Sequence, residues 1–293
     1  MKKIRNNIFF IYIAYLFYSI FSRLRLILNI EKKNILEKKD FCSVQNKPCC
    51  FILGSGASVN DLKYEQFKII EENFSIGINS WFLHDFISDI YMYEAGDPAW
   101  SNAHEIFNYI EDNLNIYEKK PILIPFDSFW FDKEIKHLRT QNKLKIYYYF
   151  VLPFFFTKLR LLRKSIKIKS IIARFLGLDD CIYGSGSSII RSVFLAEELG
   201  FEKIVLVGVD LNNSAYFYED DEKFMKQKNI TQYKSNQIGD VHITNDPEKK
   251  NIILEDFLKE IDKDINFKPK ILVASQKSSL YPMLELYDWR NCN

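Results

Sequence analysis

The sequence predicts an α/β protein built around a mostly parallel β-sheet with helices on both faces. Three observations support this prediction. From Lys47 onward, short apolar runs alternate with amphipathic stretches of helical length. Hydrophobic residues make up 47% of the 293 residues, which is enough for a substantial core and argues against disorder. The first apolar run ends in a glycine turn that is followed by a helical pattern, as a strand does in such a sheet.

Seven apolar runs are predicted as strands, because each is short and continuous and is followed or preceded by turn residues or charges. In chain order they are Cys50–Leu53, Phe74–Ile78, Ile90–Tyr93, Ile122–Ile124, Ile146–Phe150, Ile204–Val207 and Ile271–Ala274.

Three stretches carry apolar residues at helical spacing and are predicted as helices within 62–73, 188–199 and 248–263. The first of these helices is expected to extend from Tyr64 to Glu72, with Ser58 or Asn60 as its N-cap. Helices between successive strands imply parallel strand pairs, and ligands bind at the carboxyl ends of such strands.

The turn Gly54-Ser55-Gly56 is expected at the carboxyl end of the first strand. Backbone amides and a serine hydroxyl in that position can hold phosphate or ribose oxygens. The third glycine of the dinucleotide fingerprint is missing and no P-loop lysine follows, so a nicotinamide cofactor and NTP hydrolysis are not favoured.

The charge balance and the cysteine pattern exclude several classes of protein. Lys and Arg (40) nearly equal Asp and Glu (38), which gives a net charge of +2 and argues against a protein that coats nucleic acid. The five cysteines show no paired metal-type spacing, which indicates a reducing compartment without a disulfide scaffold or a zinc site. The one Asp-x-Asp, Asp262 to Asp264, is expected on the solvated face of a helix rather than at a metal.

The N-terminal segment is predicted to associate with a membrane. Ile8–Phe21 is apolar almost throughout and has Lys and Arg residues on both sides. It is shorter than the roughly 20 residues of a spanning helix, so residues 1–46 are interpreted as an interfacial helix and a linker. A buried helix of the soluble domain is the alternative. Tyr147–Ser170, in which aromatic residues precede basic ones, is either a second membrane contact or a core strand followed by a solvated basic helix.

Four further stretches, together with the glycine turn, carry a resemblance to a known family. They are "SIGINSW" (Ser75–Trp81), "GSGSSIIRSVFLAEELGFEKIVLVGVDL" (Gly184–Leu211), "GDVHITNDPEKKNIILEDFLKEI" (Gly239–Ile261) and "KILVASQKSSLYPMLEL" (Lys270–Leu286). In order and spacing they resemble the bacterial family-42 sialyltransferases, which use a CMP-activated nonulosonic sugar. The same pattern is similar to a broader family that includes flagellar nonulosonate transferases and an archaeal hydroxymethylpterin pyrophosphokinase.

The resemblance implies a Rossmann-like, GT-A variant fold for residues 47–293. The match covers about 50–286, with a poorly matched middle at about 103–181 that is interpreted as an insertion. Residues of about 212–238, rich in Tyr and charged residues and without glycine until Gly239, correspond to a lid that orders over the donor in the family.

The resemblance also implies the site residues. His242 resembles the general base, and Tyr216 or Tyr218 resembles a tyrosine that binds the donor phosphate. The donor-binding set comprises Gly54, Ser55, Gly56, Ser58, Asn79, Asp97, Ser187, Ser188, Asp210, Asn212, Ser278 and Ser279. Glu94 is the alternative to Asp97. The chain departs from the family at three places: Ser55 stands for an asparagine, Asn212 for a second tyrosine, and the arginine before the serine pair falls near Ser185.

These residue types suit transfer from a CMP-sugar without a metal. The nucleotide phosphate is a good leaving group, so the tasks that remain are deprotonation of the acceptor and stabilisation of the phosphate charge. Imidazole titrates near neutrality and a tyrosine hydroxyl can donate to phosphate. His84 is the second-choice base, and His104 and His137 are interpreted as structural. Each assignment has a structural alternative: a surface or satisfied core histidine, tyrosines that pack a loop, an N-cap role for the serine pair, and a turn cap for Asp210.

The expected function is a metal-independent, inverting glycosyltransferase that moves sialic acid or a related nonulosonic acid from CMP to a surface glycan such as lipooligosaccharide, O-antigen or capsule. No cofactor and no nucleic acid is expected, and a homo-oligomer is left open. The expected location is the cytoplasmic face of the inner membrane, peripheral or N-terminally anchored. The alternatives are a pterin pyrophosphokinase and a non-catalytic nucleotide-binding protein of a polysaccharide locus.

Overall fold

A computed structural model gives the architecture of most of the region from Lys47 onward. It describes residues 47–93, 103–125, 144–153, 181–184, 187–213, 215–219, 221–228, 241–248 and 250–290, together with four single helical positions, Phe17, Phe21, Leu28 and Leu159. All structural statements below concern these residues.

The described strands form one parallel sheet of nine strands, in the order β6-β5-β4-β3-β2-β1-β7-β8-β9. Every pair of neighbouring strands runs parallel. The strands are β1 (Cys49–Leu53), β2 (Phe74–Ile78), β3 (Ile90–Met92), β4 (Pro121–Pro125), β5 (Lys145–Pro153), β6 (Cys181–Gly184), β7 (Lys203–Val207), β8 (Lys270–Val273) and β9 (Glu285–Leu286). The predicted mostly parallel α/β sheet is confirmed.

The order of strands reverses direction between β1 and β7. From β1 the chain adds strands on one side as far as β6, and it then returns to place β7 on the other side of β1. The register pairs Cys49 with Lys203 and Leu53 with Val207, so the two strands end level with each other. In a doubly wound sheet, the loops on the two sides of such a reversal diverge and leave a crevice. The crevice is therefore expected above Leu53 and Val207.

Six α-helices are described. They are α1 (Tyr64–Glu72), α2 (Ala103–Asp112), α3 (Leu114–Tyr117), α4 (Ser188–Glu198), α5 (Glu222–Gln227) and α6 (Leu254–Asp262), and short 3₁₀ turns cover Ala57–Asp61, Asn79–Leu83 and Ile243–Asn245.

The core has two layers, one on each face of the sheet. Alternate side chains of a strand point to opposite faces, and β1 shows this directly. Cys50 and Ile52 lie in the cluster that contains the buried residues of α4 and α6. Phe51 and Leu53 lie in the cluster on the other face, which is rich in aromatic residues from the 3₁₀ turn Asn79–Leu83 and from 217–218. Because both faces are covered, the strands are continuously apolar rather than alternating.

All seven predicted strands are present, and two described strands were missed. Cys181–Gly184 and Glu285–Leu286 were not predicted, because the first ends in glycine and the second has only two residues, both exposed. The middle region of about 103–181, expected as an insertion, supplies α2, α3, β4 and β5, and these strands belong to the main sheet.

The predicted N-cap of α1 is wrong. Lys63 occupies that position, and its backbone amide donates a hydrogen bond to the Gln66 side chain. Ser58 and Asn60 belong instead to the preceding 3₁₀ turn, and both bond to the segment that follows β7. The nearest capping residue in sequence is used for a tertiary contact, which local patterns do not reveal.

The solvated position predicted for Asp264 is also wrong. Asp262 is exposed at the end of α6, but Asp264 lies beyond the helix and is buried. One carboxylate oxygen of Asp264 accepts hydrogen bonds from the backbone and side-chain amides of Asn266. Asp264 therefore closes a turn before β8.

The two segments predicted to touch a membrane are covered only in part. The rings of Tyr148 and Tyr149 are buried in the core as part of β5, so a membrane contact through these two rings is wrong and the core-strand alternative holds for them. Most of Ile8–Phe21 and of 154–170 lies outside the described residues. Among the residues that are described, no helix has the length and apolar character needed to cross a bilayer.

Candidate functional site

Most of the predicted site residues lie on loops at the carboxyl edge of the sheet. The loops after β1, β2, β7 and β8 meet there with the start of α4 and with residues 215–219 and 241–245. These loops surround the reversal point between β1 and β7, where ligands bind in doubly wound sheets.

The glycine turn after β1 is bonded mainly to the loop after β7. The amide of Gly54 donates to the carbonyl of Val207 (2.8 Å) and that of Gly56 to the carbonyl of Gly208 (2.8 Å). The next amide, of Ala57, donates to the carbonyl of Ala215 (3.1 Å). These amides were expected to face a phosphate, and the protein itself uses them instead. The turn is therefore fixed to the loop after β7 and to Ala215.

Asp210 joins the two loops through its carboxylate. One oxygen accepts the Ser58 amide (2.7 Å) and the other accepts the Ser58 hydroxyl (2.7 Å). Both residues are buried, so water cannot replace Asp210 as the acceptor for the Ser58 donors. The predicted donor-binding residues Ser58 and Asp210 thus bind each other, across 152 positions of sequence.

Two glycines are needed because these loops approach so closely. A Cβ on Gly56 would lie 2.5 Å from an Asp210 carboxylate oxygen and 2.8 Å from the Gly208 carbonyl oxygen. Gly208 has a φ of +62°, a conformation that side-chain-bearing residues rarely adopt, and a Cβ there would overlap the Gly54 carbonyl. The glycine pattern that resembles a nucleotide cradle is thus explained by loop-to-loop packing.

Ser55 is the one residue of the turn that keeps groups available. Its carbonyl accepts the Phe217 amide (2.9 Å), whereas its amide and hydroxyl make no hydrogen bond within the described part of the chain. Its side chain is buried. Of the predicted Gly54–Gly56 cradle, Ser55 is therefore the group best placed to bind a ligand.

Asn79 and Ser188 are brought together from β2 and α4. The Asn79 side-chain amide donates to the Ser188 hydroxyl at 3.1 Å. Asn79 has a φ of 50°, the left-handed conformation that asparagine tolerates better than most residues. Ser187 holds the N-cap position of α4, but its side chain makes no capping bond. The N-cap interpretation of the serine pair is therefore not supported, and Asn79 lies beside that pair.

The start of the predicted lid is attached to the glycine turn. Gly56 and Tyr216 form an antiparallel bridge, flanked by the Ala57–Ala215 and Ser55–Phe217 bonds. The rings of Tyr216 and Tyr218 stack at 5.4 Å with an interplanar angle of 2°. Tyr218 is only 1% exposed, and its hydroxyl donates to the Ser80 hydroxyl (3.4 Å). Tyr216 is partly exposed, so its ring is the more accessible of the two.

Lys228, directly after α5, anchors that helix to the rest of the described structure. Its ammonium group donates to Asp85 (2.7 Å) and to the Tyr109 hydroxyl (2.6 Å), and it lies over the rings of Tyr109 and Phe224. The rest of the predicted lid, 229–238, lies outside the described residues.

His242 lies next to the loop after β7. Its backbone amide donates to the carbonyl of Leu211 (3.0 Å), one residue beyond Asp210. Its ring Nδ1 lies 2.8 Å from the Thr244 hydroxyl and accepts the Thr244 amide at 3.3 Å. The imidazole thereby begins the 3₁₀ turn Ile243–Asn245. The predicted base is at the carboxyl edge of the sheet and at the border of the reversal point.

The surroundings of His242 keep its ring neutral. Burial lowers the pKa of His242 from its ordinary value, and the nearby cation of Lys250 lowers it further. Thr244 and Lys250 line a cavity of about 20 Å³, large enough for one water molecule, together with Ser187 at the start of α4. A neutral imidazole at pH 7 can accept a proton, as a general base must.

His84, the second-choice base, is a structural residue. Its ring stacks on Trp81 (4.3 Å) and on Phe67 (5.3 Å), and its Nδ1 accepts the Phe86 amide (2.9 Å). Burial lowers the pKa of His84 to about 4. It fills the turn after β2.

The serine pair after β8 divides into two roles. The Ser278 hydroxyl donates to the carbonyl of Val209 (2.6 Å) and so ties the β8 loop to the β7 loop. The Ser279 hydroxyl is buried and makes no hydrogen bond within the described residues. Asn212 is exposed at the rim. Asp97, its alternative Glu94, and Ser185 lie outside the described ranges.

Sequence reasoning missed Thr244 and Lys250 beside the predicted base. Thr244 stands two positions after His242, a spacing at which a hydroxyl can reach the imidazole, so the local sequence held that signal. Lys250 is brought close to His242 only by the tertiary structure. Within the described ranges, no three His, Cys, Asp or Glu side chains form a group able to hold a metal ion.

Comparison with protein-family models and with curated proteins gives no match. Comparison with solved structures gives several, all at low sequence identity. The α-2,3-sialyltransferase Cst-I from Campylobacter jejuni is 16% identical with a TM-score of 0.47, over 90% of this chain and 86% of that one. The sialyltransferase CstII from Campylobacter jejuni, in complex with the substrate analogue cytidine-5'-monophosphate, is 15% identical with a TM-score of 0.46, over 83% and 86%.

A third solved structure belongs to a larger protein. The MAf glycosyltransferase from Magnetospirillum magneticum AMB-1 is 12% identical with a TM-score of 0.47, over 87% of this chain but only 38% of that one. The solved structures to which this chain is similar therefore include sialyltransferases and a glycosyltransferase.

Proposed function

We propose that this chain is an inverting, metal-independent glycosyltransferase that moves sialic acid or a related nonulosonic acid from a CMP donor to a surface glycan. One observation carries the proposal: the backbone of His242 is bonded to Leu211, directly after the Asp210–Ser58 pair that joins the two loops at the reversal point. This bond keeps the segment that carries the His242 imidazole next to the loop after β7, at the carboxyl edge where a parallel sheet binds its ligand.

The proposed reaction is a single displacement at the anomeric carbon. His242 takes the proton from an acceptor hydroxyl, and the acceptor oxygen forms a bond to the anomeric carbon. The bond from that carbon to the phosphate oxygen breaks, and CMP leaves with the electron pair. Attack from the face opposite the phosphate inverts the configuration. The phosphate is already a good leaving group, so the proposal needs no metal.

The departing phosphate and the donor need neutral hydrogen-bond donors. Tyr216 is the better candidate for the phosphate, because the Tyr218 hydroxyl is buried against Ser80. The amide and hydroxyl of Ser55 and the buried hydroxyl of Ser279 are further candidates, since none of them is used by the described residues. The Asn79–Ser188 pair is proposed to face the donor carboxylate or cytidine.

We also propose attachment to the cytoplasmic face of the inner membrane through residues 1–46. Phe17, Phe21 and Leu28 are helical and 70%, 67% and 81% exposed. In a continuous helix, separations of four and seven residues place side chains on one face. An apolar face of that kind beside Lys and Arg residues suits a helix that lies in the headgroup region of a bilayer.

The proposed function is tested by measuring CMP release. The purified full-length protein is incubated with CMP-N-acetylneuraminic acid and a lactose-terminated acceptor, in excess EDTA. We expect turnover to persist in EDTA and to fall by roughly 10²–10⁴-fold in His242→Ala, the range of general-base catalysis. Val241→Ala, at the exposed neighbouring position, is the matched control and should keep its activity.

Other outcomes point to the alternatives. Turnover of ATP and a pterin that requires Mg²⁺ would favour the pyrophosphokinase. CMP binding without turnover of any CMP-activated nonulosonic acid would favour a nucleotide-binding protein. Full activity in His242→Ala would refute the proposed base.

A further inference from the structure

We infer that Lys250 binds an oxyanion of the donor, in a small anion-binding site that it forms with Ser187 at the start of α4. The anion in question is that of the CMP donor, so this site rests on the proposed function and deepens it. The site is the cavity of about 20 Å³ beside Thr244, which has room for one water molecule or one oxygen atom of a ligand.

The lining of this cavity carries a positive charge and no negative charge. Lys250 is the cation, and none of the other seven lining residues is acidic. Two of them, Ser187 and Thr244, bear hydroxyls, and the remaining five are apolar. An apolar lining lowers the local dielectric, so the ammonium group attracts an anion more strongly here than it would in water.

The ammonium group of Lys250 is not used inside the described part of the chain. The backbone amide of this residue donates to the Asp246 carbonyl (2.9 Å), whereas its half-buried side chain forms no ion pair among those residues. Glu248 and Asp256 border a second cavity that Lys250 also lines, and neither carboxylate is paired with it. The cation is near enough to the His242 ring to lower its pKa. A charge beside the proposed base is therefore available to a ligand.

Ser187 brings a second unused group to the same cavity. Its side chain is only 8% exposed, and its hydroxyl makes no hydrogen bond within the described residues. It holds the N-cap position of α4 without capping the helix, so the first amides of α4 gain no partner from it. A helix N-terminus favours anions, and a buried hydroxyl without a partner costs free energy. A bound oxyanion would satisfy both.

The proposed donor offers two oxyanions of the kind that this site suits. One is the carboxylate of the nonulosonic acid, and the other is the phosphate of CMP. Either presents a charged oxygen that can accept hydrogen bonds from an ammonium group and a hydroxyl together. With the carboxylate, Lys250 would select acidic sugars over neutral ones. With the phosphate, it would stabilise the leaving group in addition to the neutral donors.

Binding of two ligands by calorimetry tests the site. The full-length protein is titrated with CMP, which carries the phosphate alone, and with a hydrolysis-resistant 3-fluoro analogue of CMP-N-acetylneuraminic acid, which carries both anions. Lys250→Met should weaken binding of the analogue roughly 10- to 100-fold, because a hydrogen bond to a charged group is lost. Weaker binding of the analogue alone identifies the carboxylate, and an equal loss for both ligands identifies the phosphate.

Three further variants serve as controls. Lys250→Arg keeps the cation and should retain most of the affinity. Ser187→Ala removes a neutral partner and should weaken binding only roughly 2- to 10-fold. Lys259→Met, at an exposed position of α6, changes the net charge equally and is the matched control. Unchanged binding of both ligands in Lys250→Met, or an equal weakening in Lys259→Met, would overturn the role of Lys250.

The wild type separates this role from the proposed function. A wild-type protein that binds neither ligand and releases no CMP would refute the transferase and the anion site together. A wild type that binds the analogue and turns over the donor, with the same affinity in Lys250→Met, would refute only the role of Lys250.

Discussion

The bond between Ser58 and Asp210 should be a major contributor to the stability of the site. Ser58→Ala removes the hydroxyl bond of 2.7 Å to one carboxylate oxygen. A hydrogen bond to a charged group contributes about 1.5–3 kcal/mol, and we expect that loss in the free energy of unfolding. Asp210→Ala removes both acceptors and leaves two buried donors, so its cost should be about twice as large, roughly 3–6 kcal/mol.

A double-mutant cycle measures the coupling between the two side chains. In Ser58→Ala/Asp210→Ala the hydroxyl bond is lost only once, so the pair should be less destabilised than the sum of the singles by about 1.5–3 kcal/mol. Urea unfolding followed by tryptophan fluorescence gives the free energies. Asp61 and Lys277 form an exposed ion pair nearby (2.7 Å), and their cycle is the matched control with an expected coupling of about 0–1 kcal/mol. Additive single mutants at Ser58 and Asp210 would refute the account of this site.

Three further predictions concern the neighbouring elements. Gly208→Ala should lower the free energy of unfolding by about 1–2 kcal/mol or more, because alanine would have to adopt a φ of +62° and its Cβ would overlap Gly54. An unchanged urea unfolding curve would contradict this. Lys228→Met should raise amide hydrogen exchange in 221–228 without affecting α6, because it removes the bonds to Asp85 and Tyr109; unaltered exchange would mean that α5 is held by packing alone. The folded-state pKa of His84, about 4, lies below its ordinary value of 6.5, so its stabilisation is complete above pH 6.5 and is lost as pH falls toward 4. The free energy of unfolding should fall by about 3 kcal/mol over that pH range in the wild type and should not fall in His84→Phe. Urea unfolding at several pH values measures both.

The strands of the sheet could be predicted because burial on both faces leaves a simple trace in the sequence. Phe51 and Ile52 face opposite layers, yet both are fully buried, so β1 is a continuous apolar run. The two exposed residues of β9 carry no such trace, because their pairing depends on β8. Local hydrophobicity thus predicts the strands that are buried on both faces. It does not predict β9 at the edge of the sheet.

The position of the glycine turn could be predicted from the sequence, but the use of its groups could not. The turn was correctly expected at the carboxyl end of the first strand. The partners of the turn, Val207, Gly208 and Asp210, come from more than 150 positions away, and only the fold shows that they consume its amides. For the same reason Ser58 was expected to cap a helix, since a local pattern cannot reveal a distant acceptor.

The bridge between Gly56 and Tyr216 limits how the segment after β7 can move. The bridge consists of two backbone hydrogen bonds, from Ala57 to Ala215 and from Phe217 to Ser55, which fix residues 215–217 to the turn. Any displacement of α5 relative to the sheet would therefore have to be absorbed after Phe217, where the Asp221 amide donates to the Tyr218 carbonyl (3.3 Å). Through such a displacement the Tyr216 backbone would stay joined to the glycine turn, so the ring proposed to bind the donor phosphate would remain anchored to the sheet.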